Sequence, residues 1–155
     1  LHKLKQCAGV IGTDFSCYYD TPKALQIYNV YRNRCLDKFF QVNGIDVIPV
    51  ASWGDESSFN WCFEGLPKHS TIAISSNGCL KKTLSFIKGF EELLKRCEPE
   101  LIICLGKFPT EYTYATPIKY IYNNFINKIV QKTTQRSNEL WAEEEVLFTK
   151  KEQKK

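Results

Sequence analysis

Asp46-Val47-Ile48-Pro49-Val50-Ala51-Ser52-Trp53-Gly54-Asp55-Glu56 is the stretch on which the fold turns. Its first half is an apolar run of strand length, and its second half is an aromatic, a glycine and two acids. A run of this kind reads as a strand buried on both faces, which is how strands of parallel sheets look. The polar end reads as the loop leaving the strand. Ligands of parallel α/β sheets bind just beyond such carboxyl ends. Pro49 cannot donate to a ladder, so it marks a bulge or an edge within the run.

Upstream, Ala8-Gly9-Val10-Ile11-Gly12-Thr13 reads as a first strand ending in Asp14-Phe15-Ser16. Thr21-Pro22 reads as a helix start, with Thr21 as cap and Pro22 at the first helical position. Leu25, Tyr28, Cys35, Leu36, Phe39 and Val42 then recur at helical spacing, and Gly44 offers a left-handed stop. Downstream, Phe59, Cys62, Phe63 and Leu66 outline a short helix ended by Gly65 and Pro67. Thr71 to Ser75 is a third strand. Leu84, Ile87, Phe90, Leu94 and Cys97 predict a second long helix, in which Gly89 invites close packing.

Leu101 to Leu105 is the most apolar strand, and a further strand is expected around Ile118 to Tyr122. A short helix is expected over 124–132. The pattern predicts an α/β fold, a mainly parallel sheet of four or five strands with covering helices. Its form is half-barrel-like or a small open sheet; the length disfavours a complete barrel. Residues 1–132 form the domain, and 133–155 a polar, partly helical extension.

The composition narrows the setting. With 155 residues, 43% hydrophobic and 25% charged, the chain has the make-up of one globular domain. A net charge of +4, spread along the chain, permits nucleic-acid contact without demanding it. No apolar run is long enough to span a membrane, and Leu1 to Lys5 lacks a signal peptide's apolar core. Seven cysteines without a C-x-x-C pair read as small buried hydrophobes in a reducing, cytoplasmic compartment.

Side by side, the strand exits offer Asp14, Asp55 and Glu56 as candidate catalytic carboxylates. Ser16, Asp20, Trp53, Asn77 and Lys107 are candidate ligand-binding groups. Such a set can bind a divalent cation through oxygen, act as an acid/base pair, or hold a ring by stacking. Capping is the competing role for Asp20, Asp55 and Glu56, which precede helices. His2 and His69 lack ligand-spaced partners, and Cys79 lacks an activating neighbour.

A series of short motifs then stands out in order: Asp14-Phe15-Ser16, Tyr19-Asp20-Thr21-Pro22, Ala24-Leu25-Gln26-Ile27-Tyr28, Arg32 and Arg34. Asn43-Gly44-Ile45, Val47-Ile48-Pro49, Trp53-Gly54-Asp55, Phe63-Glu64-Gly65-Leu66-Pro67, and Phe86 with Gly89 continue it. In these the chain, from about Gly12 to Lys107, resembles a family of bacterial, plasmid and phage proteins known only as a domain of unknown function. The resemblance implies a phage or mobile-element accessory protein that binds a nucleotide, a nucleic acid or a host protein. It assigns no catalytic residue. A small hydrolase using the carboxylates at the strand ends is the alternative.

Overall fold

In the computed structural model the described residues are 1–77, 79, 83–109 and 111–121. The helix expected over 124–132 and the extension 133–155 lie outside them. The chain runs through β1 (Val10–Ile11), α1 (Lys23–Val42), β2 (Val47–Ile48), β3 (Val50–Ala51) and a 3-10 turn (Glu56–Asn60). It continues through β4 (Thr71–Ser75), α2 (Thr83–Cys97), β5 (Leu101–Leu105) and β6 (Ile118–Ile121). A further 3-10 turn, Leu4–Gln6, precedes β1.

Among the described residues all the strand pairs are parallel: β1 with β2, then β3 with β4, β4 with β5, and β5 with β6. The fold is therefore α/β with open parallel sheets, as the apolar runs predict. The run from Val47 to Ala51 is one length of chain but two strands, parted at Pro49. On one side Val10 and Gly12 donate to the carbonyls of Asp46 and Ile48 at 2.8 and 2.9 Å. On the other, Ala73 donates to the Pro49 carbonyl at 2.9 Å. Proline has no N–H to give, so the chain changes neighbours there, and the expected bulge or edge is a hand-over between two ladders.

The ladders follow chain order, and right-handed crossovers then put every connecting helix on one face. That face holds Ala51, Ile72, Ile74, Ile102 and Cys104, packed with Val30 of α1, Phe63, and Phe86, Ile87, Phe90 and Leu93 of α2. Val50, Ala73 and Ile103 point the other way, with Ile11 and Ile48 beside them. α2 behaves as its periodicity predicts. Burying Phe86, Ile87, Phe90 and Leu93 is worth roughly 10 kcal/mol of transfer free energy. Gly89 faces Trp53, and a Cβ there would collide with the indole nitrogen.

α1 does not behave so. Tyr28, Tyr31, Phe39 and Val42 are 51%, 63%, 47% and 67% exposed, while Gln26, Asn29, Asn33 and Asp37 are at most 8% exposed. The helix buries a polar stripe and presents its apolar one to solvent. The reason lies in what it covers. Between β1 and α1 the chain is irregular, and its backbone groups need partners away from water. Asn33 serves two of them and one side chain: its carbonyl accepts from the Phe15 amide and the Thr13 hydroxyl, both at 3.0 Å, and its amide donates to the Phe15 carbonyl at 3.2 Å. Asn29 donates to the Ser16 carbonyl at 3.0 Å, and Gln26 to the Thr21 carbonyl at 2.7 Å. Pro22, not Thr21, occupies the N-cap position, and proline has no side-chain acceptor to cap the helix with; the Thr21 carbonyl accepts from Gln26. The stop at Gly44 is left-handed, with φ of 74°.

The helix expected around Phe59 to Leu66 is a 3-10 turn of five residues followed by turns, closed by Gly65 at φ of 72°. Arg34 ties this segment to α1, donating to the carbonyls of Glu64, Val50 and Cys62 at 2.9, 3.2 and 3.3 Å.

Candidate functional site

Where β1 and β3 leave their two sheets, the loops that follow them bound a cavity of about 90 Å³ with the residues after β4. Asp14, Ser16, Cys17 and Tyr18 line it from the first loop, and Ser52 and Trp53 from the second. Ser75, Asn77 and Cys79 follow β4, and Phe86 reaches in from α2. α1 sets the first wall, since Asn29 and Asn33 hold the Thr13 hydroxyl before Asp14 and the backbone of Phe15 and Ser16 after it. The two loops are joined directly: the Cys17 amide donates to the Ser52 hydroxyl at 2.9 Å. Trp53 is held between Phe86 and Phe63, at centroid distances of 5.3 and 6.0 Å, and rests on Gly89. Its indole both packs on the core and walls the cavity.

Asp14 accepts from the Ser16 hydroxyl at 3.1 Å. Its side chain is exposed at the rim, yet partial loss of surrounding water raises its carboxyl above the ordinary range, and the Ser16 hydrogen bond opposes this only in part. Among the described residues it forms no ion pair. The thiols beside it are inert. Burial pushes Cys17 up to about 11 and raises Cys79 as well, and the charge of Asp14 pushes both further the same way. A thiol so held is a poor nucleophile at neutral pH. None of the seven cysteines is in a disulfide.

The structure separates the other candidate acids from Asp14. Asp55 caps the 3-10 turn, accepting from the Ser57 amide at 3.0 Å and the Ser57 hydroxyl at 2.6 Å. These bonds hold its carboxyl below the ordinary range. Glu56 pairs with Lys88 of α2 at 2.5 Å on the surface. Neither lines the cavity, and nor do Asp20 and Lys107, which are exposed. Ser16, Trp53 and Asn77 do line it. Among the described residues no group of three or more histidines, cysteines and acids comes together to hold a metal ion.

Sequence reasoning passed over Cys17, Ser52, Ser75 and Phe86. The available signal was position: Cys17 lies three residues beyond Asp14, Ser52 and Ser75 end or follow apolar runs, and Phe86 sits one helical turn before Gly89. Arg32 and Arg34, the two arginines of the motif series on α1, are engaged elsewhere. Arg34 is spent on carbonyls, and Arg32 lies over the rings of Phe15 and Tyr28, at 3.7 and 5.0 Å.

A larger hollow of about 500 Å³ opens at the amino-terminal ends of the strands, between α1, β2 and the segment from Gly65 to Thr71. Its orphan polar atoms, both carboxylate oxygens of Asp37 and the hydroxyl of Ser70, are shut away from solvent. They offer little to an incoming ligand, and that end of a parallel sheet is the structural one.

A family model described as a domain of unknown function (DUF4417) matches residues 1–123. The chain belongs to this family. The DUF4417 chain is 39% identical over 110 residues to the Gene 1 protein of Mycobacterium phage L5, covering 69% of the chain and 48% of that protein. It is 36% identical over 110 residues to the Gene 1 protein of Mycobacterium phage D29, covering 69% of the chain and 41% of that protein. The chain thus spans about half the length of the curated relatives it matches. No solved structure matches it. The resemblance read from the motifs, to an uncharacterised family with phage members, therefore holds. No helix among the described residues is long and apolar enough to cross a membrane.

Proposed function

We propose that this DUF4417 chain is a cytoplasmic accessory protein of a phage or mobile element that binds a protein partner. The cavity at the strand exits receives a cationic side chain from that partner. The observation that carries this reading is the carboxylate of Asp14, the one acid lining a small cavity walled by Trp53, Tyr18 and Phe86, exposed at its rim yet held above the ordinary range by partial loss of water. A desolvated carboxylate gains most from a cation, and aromatic walls favour the same guest. Ligand pockets for small molecules run from about 300 Å³ upward, so a hollow of about 90 Å³ suits a side chain better than a whole nucleotide. Seven unpaired cysteines support the cytoplasmic setting. The proposal keeps 1–132 as the binding domain and 133–155 as a polar extension.

The hydrolase reading has less support. It needs two or three carboxylates around one bond, whereas Asp55 and Glu56 are engaged in a cap and a surface ion pair.

The test is calorimetric titration with a short peptide carrying one lysine, the same peptide carrying glutamate, and adenosine monophosphate. The lysine peptide is expected to bind, and Asp14→Asn to weaken it at least tenfold. Equal binding of both peptides, or preferential binding of the nucleotide, would overturn the proposal.

A further inference from the structure

The apolar face of α1, exposed and without a partner element among the described residues, has a particular order. Ala24, Tyr28, Tyr31, Cys35, Phe39 and Val42 follow one another at steps of four, three, four, four and three residues, and all are exposed. Steps of this kind keep a stripe on one side of a helix and are the seam one helix offers to another. Part of the stripe is already ordered. Tyr28 and Tyr31 stack at 6.4 Å, and the Arg32 guanidinium lies over Tyr28 and Phe15. Tyrosine and arginine held rigid are the residue types that carry binding energy at interfaces. The charges beside the stripe have one sign. Arg32 and Lys38 flank it, and the one acid of α1, Asp37, is buried on the opposite side.

We propose that this face docks an amphipathic helix of a partner protein whose apolar stripe is flanked by glutamate or aspartate. Charge complementarity selects that occupant. A second copy of this chain would bring Arg32 and Lys38 against their own kind, which disfavours self-association. A membrane surface is disfavoured too, because interfacial helices keep a solvated, lysine-rich polar face. Here the polar face, Gln26, Asn29, Asn33 and Asp37, is buried. The inference does not rest on the Asp14 cavity.

The probe is a synthetic helical peptide with leucines along one seam and glutamates flanking it, followed by fluorescence anisotropy. A matched peptide has lysines in place of the glutamates. The glutamate peptide is expected to bind at least tenfold tighter than the lysine peptide, and less tightly as salt is raised. Tyr31→Glu and, separately, Val42→Lys should each weaken it at least tenfold while leaving the circular dichroism melt unchanged. Asp14→Asn should leave it untouched, so failure here is distinct from failure of the cavity reading. Equal binding of the two peptides, or no binding of either, would overturn the proposal. So would a dimer in sedimentation equilibrium that Tyr31→Glu dissociates, or Tyr31-dependent binding to phosphatidylglycerol vesicles.

Discussion

Asp14 sits where removing a charge and keeping the shape separates stability from binding. Its folded carboxyl holds a proton more tightly than it does in the unfolded chain. As pH rises from the ordinary aspartate range, about 3.9, the unfolded chain ionises first, so this group lowers stability on the way up. The destabilisation is complete above the folded value and absent below the unfolded one. Asp14→Asn is therefore expected to melt slightly higher than the parent at pH 7 and no higher at pH 3, while losing the lysine peptide. Thermal melts at the two pH values check this; a variant that melts lower at pH 7 would contradict it. Gly89→Ala acts on the neighbouring wall. Its methyl must push Trp53 aside, so a loss of about 1–3 kcal/mol in urea unfolding is expected, together with weaker peptide binding. Asp14 and Trp53 were legible as residues because each follows an apolar run directly. Asp55 was legible only as an acid near a turn, and whether such an acid caps or binds depends on where Ser57 comes to lie.

At the scale of elements, α1 shows why apolar periodicity alone can mislead. Its length and its stop at Gly44 follow from the pattern, but the apolar stripe at Tyr28, Cys35 and Phe39 marks the outward side. The inward side carried a signal of its own, Gln26, Asn29, Asn33 and Asp37 at steps of three, four and four. Polar residues at that spacing suit a helix laid over irregular backbone, and nothing local in the sequence says that such backbone lies beneath. The two stripes should respond oppositely to substitution. Asn33→Ala removes three hydrogen bonds and strands the Phe15 amide, so a loss of about 3 kcal/mol is expected in urea unfolding. Tyr31→Ala should stay within about 0.5 kcal/mol of the parent. Similar costs for the two would mean that α1 faces the other way.

Over the whole molecule, the parallel sheet was readable because buried strands such as Ile72 to Ile74 and Leu101 to Leu105 leave short apolar runs bounded by polar exits. The division of Val47 to Ala51 into two ladders was not, since Pro49 signals an interruption without saying which neighbour is exchanged. The order of the strands was not readable either; it depends on crossovers that leave no mark in composition. The core that results is centred on Phe90, fully buried and in edge contact with Phe108 and Tyr114 at 4.8 and 4.9 Å. Phe90→Ala should cost about 3–5 kcal/mol, read from the denaturant midpoint. The sheet matters for function because it brings the loops after β1, β3 and β4 to one edge and sets Asp14, still open to solvent, at the rim of the cavity they form. The most direct check is a pH titration of the Asp14 side-chain carboxyl by ¹³C NMR, alone and with the lysine peptide. A midpoint above the ordinary aspartate range in the free protein, moving down when the peptide is added, is the expected result. A midpoint at or below that range, or one that ignores the peptide, would show Asp14 fully hydrated and contradict the site.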